Sequence, residues 1–343
     1  MLRGMSNEKI RVGLVGYGLA GSVFHAPLIR ACERMELGSV LTSRDAPNRV
    51  ESLDQLIERS EFVVVATPNT SHFPIAKRAL EAGRHVVVDK PFTVTVEEAD
   101  ELIRIAAERK SVLSVFHNRR WDGDFLTVRE VLPQLGDVLL FEAAWDRFRP
   151  VMKQGWREQP DPAAGVWNDL GPHMVDQALQ LFGMPESVEA DICAQRANAR
   201  VDDYFDVSFH YGRQRARLCS SSLVADPRPR FAVHGTAGSF VKYGLDPQEA
   251  QLKSGLDPKY SDFALDVSDG TLTFGDGKQG RIPTSRGGWL SFYEGVASAI
   301  LDGMPVPVTA KEARDGLALI SLARRSSELQ QRLAVRDASS PGG

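Results

Sequence analysis

The chain has 343 residues, 43% of them hydrophobic and 25% charged, proportions that suit a folded globular protein long enough for two domains. A formal charge of -4, no Lys/Arg run of five and no stretch of eighteen uncharged apolar residues argue against nucleic-acid and membrane partners. With no apolar signal segment between Met1 and Ile10, a soluble, cytoplasmic protein is expected.

Taken in chain order, the first third alternates β-branched runs at 11–15, 37–42, 62–66, 85–88 and 112–115 with helical stretches. That pattern predicts parallel strands joined by crossover helices. In the helix expected over 96–109, Ala99, Leu102, Ile103, Ala106 and Ala107 recur at three-to-four spacing. After Trp121 the texture changes. A helix is expected over 172–181, and strands at 138–148, 188–195, 204–211, 215–223, 230–234 and 239–243 lack crossover helices, which predicts a mostly antiparallel sheet. A last helix over 309–333 opens at a Thr309-x-x-Glu312 capping box and places Leu319, Leu322, Leu329 and Leu333 on one face.

The expected fold is therefore α/β. A doubly wound parallel Rossmann sheet spans 1–120, and an α/β domain on a large, mostly antiparallel open sheet spans 121–336. Helix 309–333 is free to pack back on the first domain, and 337–343 form a disordered tail. An uncovered apolar sheet face would favour a homodimer or homotetramer. Cys32, Cys193 and Cys219 have no paired short spacing and read as small core hydrophobes, so neither a disulfide framework nor a metal site is expected.

Gly16-Tyr17-Gly18-Leu19-Ala20-Gly21 follows the first strand and precedes an apolar helical stretch, the context in which G-x-G-x-x-G predicts a dinucleotide site. Gly16 permits the turn, Gly18 lets the backbone approach a pyrophosphate and Gly21 allows close helix–strand packing, with Leu19 and Ala20 opening the helix. The second strand ends in Thr42-Ser43-Arg44 where an NAD site would usually carry a carboxylate. Two hydroxyls and a guanidinium suit a 2′-phosphate, so NADP is favoured, while Asp45 keeps NAD open. Thr67, Asn69 and His72 follow the third strand at the ligand-binding edge. The fourth strand ends in Asp89-Lys90-Pro91, and Pro91 holds Lys90 extended at that edge, where an amine can hydrogen-bond a substrate oxygen. Asp169-Leu170-Gly171-Pro172-His173 predicts a helix with Pro172 at its first position. His173 would then sit in the first turn, where the dipole keeps the ring neutral for use as a base. Asp169 would lie just outside, and Asp176 one turn on is either a supporting partner or a helix-face charge.

Together the Gly16 fingerprint, Asp89-Lys90-Pro91 and Asp169-x-x-x-His173 resemble the Gfo/Idh/MocA oxidoreductases. The resemblance implies a lysine for substrate and cofactor contact at Lys90, with Asp89 replacing the family's glutamate. It also implies an acid/base histidine at His173 and a substrate-binding aspartate at Asp169. Gly21-Ser22-Val23-Phe24-His25-Ala26-Pro27, His117-Asn118-Arg119-Arg120-Trp121-Asp122 and Gly183-Met184-Pro185 are similar to the NADP-dependent scyllo-inositol 2-dehydrogenase branch of that family. This implies oxidation of a polyol or sugar hydroxyl, scyllo-inositol to its 2-keto form (scyllo-inosose) or the reverse. Asn118 would meet the nicotinamide side, and Trp156, Arg157 and Tyr204 are weaker pocket candidates. The segment between Arg44 and Leu53 is shorter than in relatives. Other readings are another sugar dehydrogenase of the family, a catalytically silent NADP-binding regulator, and a redox-assisted glycosidase. The regulator would be expected to lack the lysine and the histidine.

Overall fold

The computed structural model describes residues 9–151 and 164–335. The first of two compact units comprises 1–118, 248–264 and 288–311. Its strands are β1 (Ile10–Val15), β2 (Met35–Leu41), β3 (Arg49–Val50), β4 (Phe62–Val65), β5 (His85–Val88) and β6 (Leu113–Val115), all parallel in the order β3-β2-β1-β4-β5-β6. Phe62-Val63-Val64-Val65 is wholly buried, as a strand covered on both faces must be. The helices are α1 (Ala26–Ala31, entered through a π-turn at Ala20–His25), α2 (Leu53–Arg59), α3 (His72–Glu81) and α4 (Val96–Arg109). In α4 the Thr95 hydroxyl and Glu98 carboxylate form a reciprocal capping box, and the buried stripe is Ala99, Leu102, Ile105 and Ala106. Ile103 and Ala107, expected in that stripe, turn toward solvent because the stripe drifts with the 3.6-residue period.

The second unit comprises 119–247, 265–287 and 312–343. It contains α5 (Gly123–Val131), β7 (Val138–Ala144), α6 (Val166–Phe182), β8 (Ser187–Cys193), β9 (Tyr204–Tyr211), β10 (Gln214–Ser221), β11 (Phe231–Gly235) and β12 (Gly238–Lys242). The chain then returns to the first unit as α7 (Gln248–Lys253). After the hairpin β13 (Gly270–Phe274) and β14 (Gln279–Ile282) it does so again as α8 (Leu290–Asp302), before α9 (Ala310–Leu329) and the two-residue β15 (Leu333–Ala334). The nine-stranded sheet runs β14-β13-β12-β11-β7-β10-β9-β8-β15, antiparallel except where β10 meets β7. One face is covered by α6 and α9: Trp167, Met174 and Val175 with Leu319, Ile320 and Ala323 pack on Phe141, Phe205, Val207, Phe209 and Leu218.

Several expectations change here. The strand expected over 138–148 ends at Ala144, and the helix expected to end at 333 stops at Leu329, with Leu333 in a strand on the sheet edge. Beyond the expected boundary near residue 120, α7 and α8 group with the first unit. Helix α9 lies in the second unit, where the Trp167 indole donates to the Ile320 carbonyl (3.1 Å) and the Ser327 hydroxyl accepts from Ile192 N–H (2.8 Å). The far face of the sheet, expected to be apolar, is charged at its centre. Alternation sends Asp206, Arg217 and Glu142 outward, and Arg217 pairs with Asp206 (Nε–Oδ1 3.0 Å) and with Glu142 (3.6 Å). Cys32 and Cys219 are buried, whereas Cys193 is half-buried. No helix among the described residues is long and apolar enough to cross a membrane.

Candidate functional site

In the first unit the carboxyl ends of β1, β2 and β4 converge where the strand order reverses, the place where open α/β sheets bind ligands. Gly16, at φ +97°, turns the chain so that a Cβ there would strike the Ala66 carbonyl, and a Cβ at Gly21 would strike the Gly16 carbonyl. Nothing lies within 4 Å of a Cβ built on Gly18. The loop is thus closed toward the protein and open where a pyrophosphate would lie, with Leu19 exposed and Ala20 beginning the helical turn. A cleft of about 500 Å³ beside it is lined by Val15, Gly16, Leu41, Thr42, Ser43, Arg49, Val50, Glu51 and Thr67. Its residues fit a dinucleotide: glycines for the phosphates, hydroxyls just after β2, and on the adjoining β3 a guanidinium that also pairs with the Glu51 carboxylate (3.4 Å). That guanidinium belongs to Arg49, whereas Arg44 is exposed and only its backbone N–H is tied down, to the Thr42 hydroxyl (3.1 Å). Arg49 escaped sequence reasoning because a two-residue edge strand leaves no periodic signal. Its pairing with Val40 is what carries it to the cleft.

Asn69 and His72 hold the neighbouring loop. The Asn69 amide donates to the Pro91 carbonyl (2.9 Å), and the buried His72 ring places Nδ1 at 2.8 Å from the same carbonyl and Nε2 at 2.9 Å from the Thr67 carbonyl. Both oxygens are acceptors, so the doubly protonated ring satisfies both and the neutral ring one. Thr67 accepts from the Ser71 hydroxyl (2.8 Å). These contacts tie the end of β4 to the Asp89-Lys90-Pro91 loop, whose Lys90–Pro91 peptide is cis. The Lys90 N–H donates to Asp89 Oδ1 (2.8 Å), and Lys90 is half-buried. Asn118 is buried just beyond β6.

In the second unit α6 starts at Val166 rather than 172, so Asp169 lies in its first turn and His173 a full turn later, with Pro172 inside the helix. The cause is Asp202, distant in sequence, which accepts from Trp167 N–H (2.7 Å) and caps a start at Gly165 (φ +92°). The dipole acts within the first turn, so it favours the Asp169 carboxylate and no longer bears on His173. His173 is buried against Trp145 (ring centroids 6.2 Å apart), and the Arg119, Arg230 and Arg147 guanidiniums lie 4.3, 5.1 and 5.7 Å from the Trp145 ring. Arg147 also reaches Asp169 (3.8 Å). Asp176 is neither a surface charge nor idle: both its oxygens take the Arg120 guanidinium, at 2.9 and 2.6 Å. Tyr204 alternates to the sheet face opposite α6, because its neighbour Phe205 packs on Trp167. Trp156 and Arg157 lie outside the described residues.

Beneath this cluster Asp124 is fully buried. Burial and the nearby Asp122 charge push its carboxyl up to about 6 against the pull of Arg230, 3.8 Å away. A carboxyl that holds its proton more tightly when folded contributes stability that is complete below the unfolded value near 4 and is lost as pH rises through about 6. Thermal melting of wild type and Asp124→Asn should therefore diverge between pH 4 and 6, the wild type losing ground as pH rises. Parallel curves would show that Asp124 does not titrate there.

Comparison with known proteins covers both parts of the chain. Residues 10–117 match the family model "Oxidoreductase family, NAD-binding Rossmann fold", and residues 131–335 match "Oxidoreductase family, C-terminal alpha/beta domain". The uncharacterized oxidoreductase YdgJ of Escherichia coli is 42% identical across 96% of this chain and 99% of its own. The scyllo-inositol 2-dehydrogenase (NADP(+)) IolW of Bacillus subtilis is 39% identical across 94% of each. A solved Bacillus subtilis oxidoreductase, yvaA, superposes with a TM-score of 0.93 at 38% identity, over 96% of this chain and 99% of that one. A parallel Rossmann sheet bearing the glycine fingerprint, a nine-stranded second sheet and matches over both halves make this chain a member of the Gfo/Idh/MocA family of oxidoreductases.

Proposed function

We propose that the protein is an NADP-dependent dehydrogenase that oxidises a CH–OH group of a small polyol or sugar, scyllo-inositol first among them. The observation that carries the cofactor reading is the cleft at the end of β2, where Thr42, Ser43 and Arg49 offer donors suited to a 2′-phosphate, with Arg49 also paired to the Glu51 carboxylate at 3.4 Å. The substrate reading is supported by the Bacillus subtilis relative, whose name specifies scyllo-inositol and NADP. When bound, NADP supplies the hydride acceptor. His173 takes the hydroxyl proton, Asp169 accepts a hydrogen bond from a neighbouring hydroxyl, and the Lys90 ammonium donates to the reacting oxygen. The same reading gives a cytoplasmic enzyme working as a homodimer or homotetramer, which a monomeric elution volume in size-exclusion chromatography would overturn.

The cofactor assignment is tested by titrating NADP+ and NAD+ into wild type, Arg44→Ala and Arg49→Ala. Charge-assisted hydrogen bonds are worth roughly 1.5–3 kcal/mol, so Arg49→Ala should weaken NADP+ about 10- to 100-fold and leave NAD+ unchanged. Wild-type protein that binds NAD+ as tightly as NADP+ would overturn it.

A further inference from the structure

We propose that His25 and Tyr293 are positioning residues for Lys90, acting through the Asp89 carboxylate. The inference rests on the assignment of Lys90 to the reacting oxygen. His25 has no solvent exposure and sits among aromatic rings, 4.4 Å from Phe116 and 6.2 Å from Tyr293 between centroids, while Phe116 in turn contacts Phe292 at 5.0 Å. An apolar side chain would fill such a box, and burying an imidazole there is costly unless both nitrogens find partners. Nδ1 has one, the Tyr293 hydroxyl at 2.6 Å, whereas the buried Nε2 makes no hydrogen bond and faces Asp89 Oδ2 across 3.6 Å, just beyond hydrogen-bond reach.

The order of donors follows from the groups themselves. Burial, with the Asp89 charge, holds the Tyr293 phenol well above its usual range, so it stays protonated and donates to Nδ1. The ring proton is then on Nε2, facing Asp89. Burial alone would raise the Asp89 carboxyl, but the His25 Nε2–H facing it and the neighbouring Lys90 charge more than offset it and lower it instead. The second Asp89 oxygen accepts the Lys90 N–H at 2.8 Å. A line of contacts therefore runs from Tyr293 on α8 through His25 on the glycine-loop helix to the backbone of the lysine. It fixes the carboxylate's rotation and charge from behind, while His72 and Asn69 hold the Pro91 carbonyl in front. His25 belongs to the Phe24-His25-Ala26-Pro27 run, to which the reaction itself assigns no role.

The experiment measures turnover of scyllo-inositol with NADP+, NADP+ affinity by fluorescence titration, and the 15N-histidine spectrum. The variants are His25→Leu, His25→Gln, Tyr293→Phe, Asp89→Asn and the double variant His25→Leu/Asp89→Asn. Loss of sub-ångström positioning should lower kcat in His25→Leu by roughly 10- to 100-fold with NADP+ affinity unchanged. His25→Gln, which keeps an N–H for Asp89, should recover most of it, and the double variant should be no worse than Asp89→Asn alone. The spectrum should place the ring proton on Nε2 in wild type and shift in Asp89→Asn and Tyr293→Phe. Equal kcat in the Leu and Gln variants, additive losses in the double variant, or a proton on Nδ1 would overturn the proposal. If His25→Leu does not fold, Tyr293→Phe and the spectrum decide alone. Lys90→Ala separates the two layers: wild-type turnover in it overturns the catalytic assignment. An inactive Lys90→Ala beside a fully active His25→Leu overturns only the positioning.

Discussion

Replacing His173 by alanine is expected to lower kcat by about 10²- to 10⁴-fold, the contribution of a positioned general base, while leaving NADP+ affinity at its wild-type value. The separation follows from the architecture. His173 stands on α6 in the second unit, whereas the glycine loop and the cleft with Arg49 belong to the first. Asp169, one turn earlier in the same helix, should behave differently. As a hydroxyl acceptor it contributes to substrate binding, so Asp169→Ala should mainly raise KM for the polyol, roughly 10- to 100-fold for a hydrogen bond to a charged group. Steady-state kinetics on the two variants distinguish these roles, and an unchanged kcat in His173→Ala removes the base from the scheme.

The largest effect on stability is expected at Asp176. Its carboxylate and the Arg120 guanidinium are each nearly sealed from water, with side-chain exposures of 5% and 7%, whereas Glu312, 3.3 Å from the same guanidinium, is 41% exposed. Asp176→Ala leaves a buried cation without its bidentate partner, a change that typically costs about 3–5 kcal/mol. At about 2–4 °C per kcal/mol, a melting midpoint lower by roughly 10 °C is expected for a unit of this size. Replacing both partners, Arg120→Met with Asp176→Leu, should recover much of the loss, because the penalty comes from the stranded charge and not from the absence of the pair. Calorimetry on the three variants checks this, and a double variant as unstable as Asp176→Ala would contradict it.

What could be read in advance was what local chemistry encodes. The glycine loop announces itself because turn, close approach and packing need Gly16, Gly18 and Gly21 within six residues, and the buried strands because continuous apolar runs have no other use. The start of α6 could not be read locally, since Pro172 imitates a first helical position while the cap comes from Asp202, beyond an intervening strand. Arg49 was hidden for a similar reason, as a cation becomes a cleft residue only when β3 adds to the sheet edge. The return of α7 and α8 to the first unit, and with α8 the Tyr293 hydroxyl that meets His25, depends on contacts more than two hundred residues apart. Tyr204, by contrast, was decidable beforehand: the alternation that turns Phe205 inward turns Tyr204 away from α6.

The central claim is most directly tested by following NAD(P)H absorbance while wild-type protein is offered a panel of inositols and aldoses, in parallel with NADP+ and NAD+. The account predicts that scyllo-inositol reduces NADP+, and does so faster than it reduces NAD+. Protein that binds NADP+ yet reduces it with no inositol or aldose would contradict it.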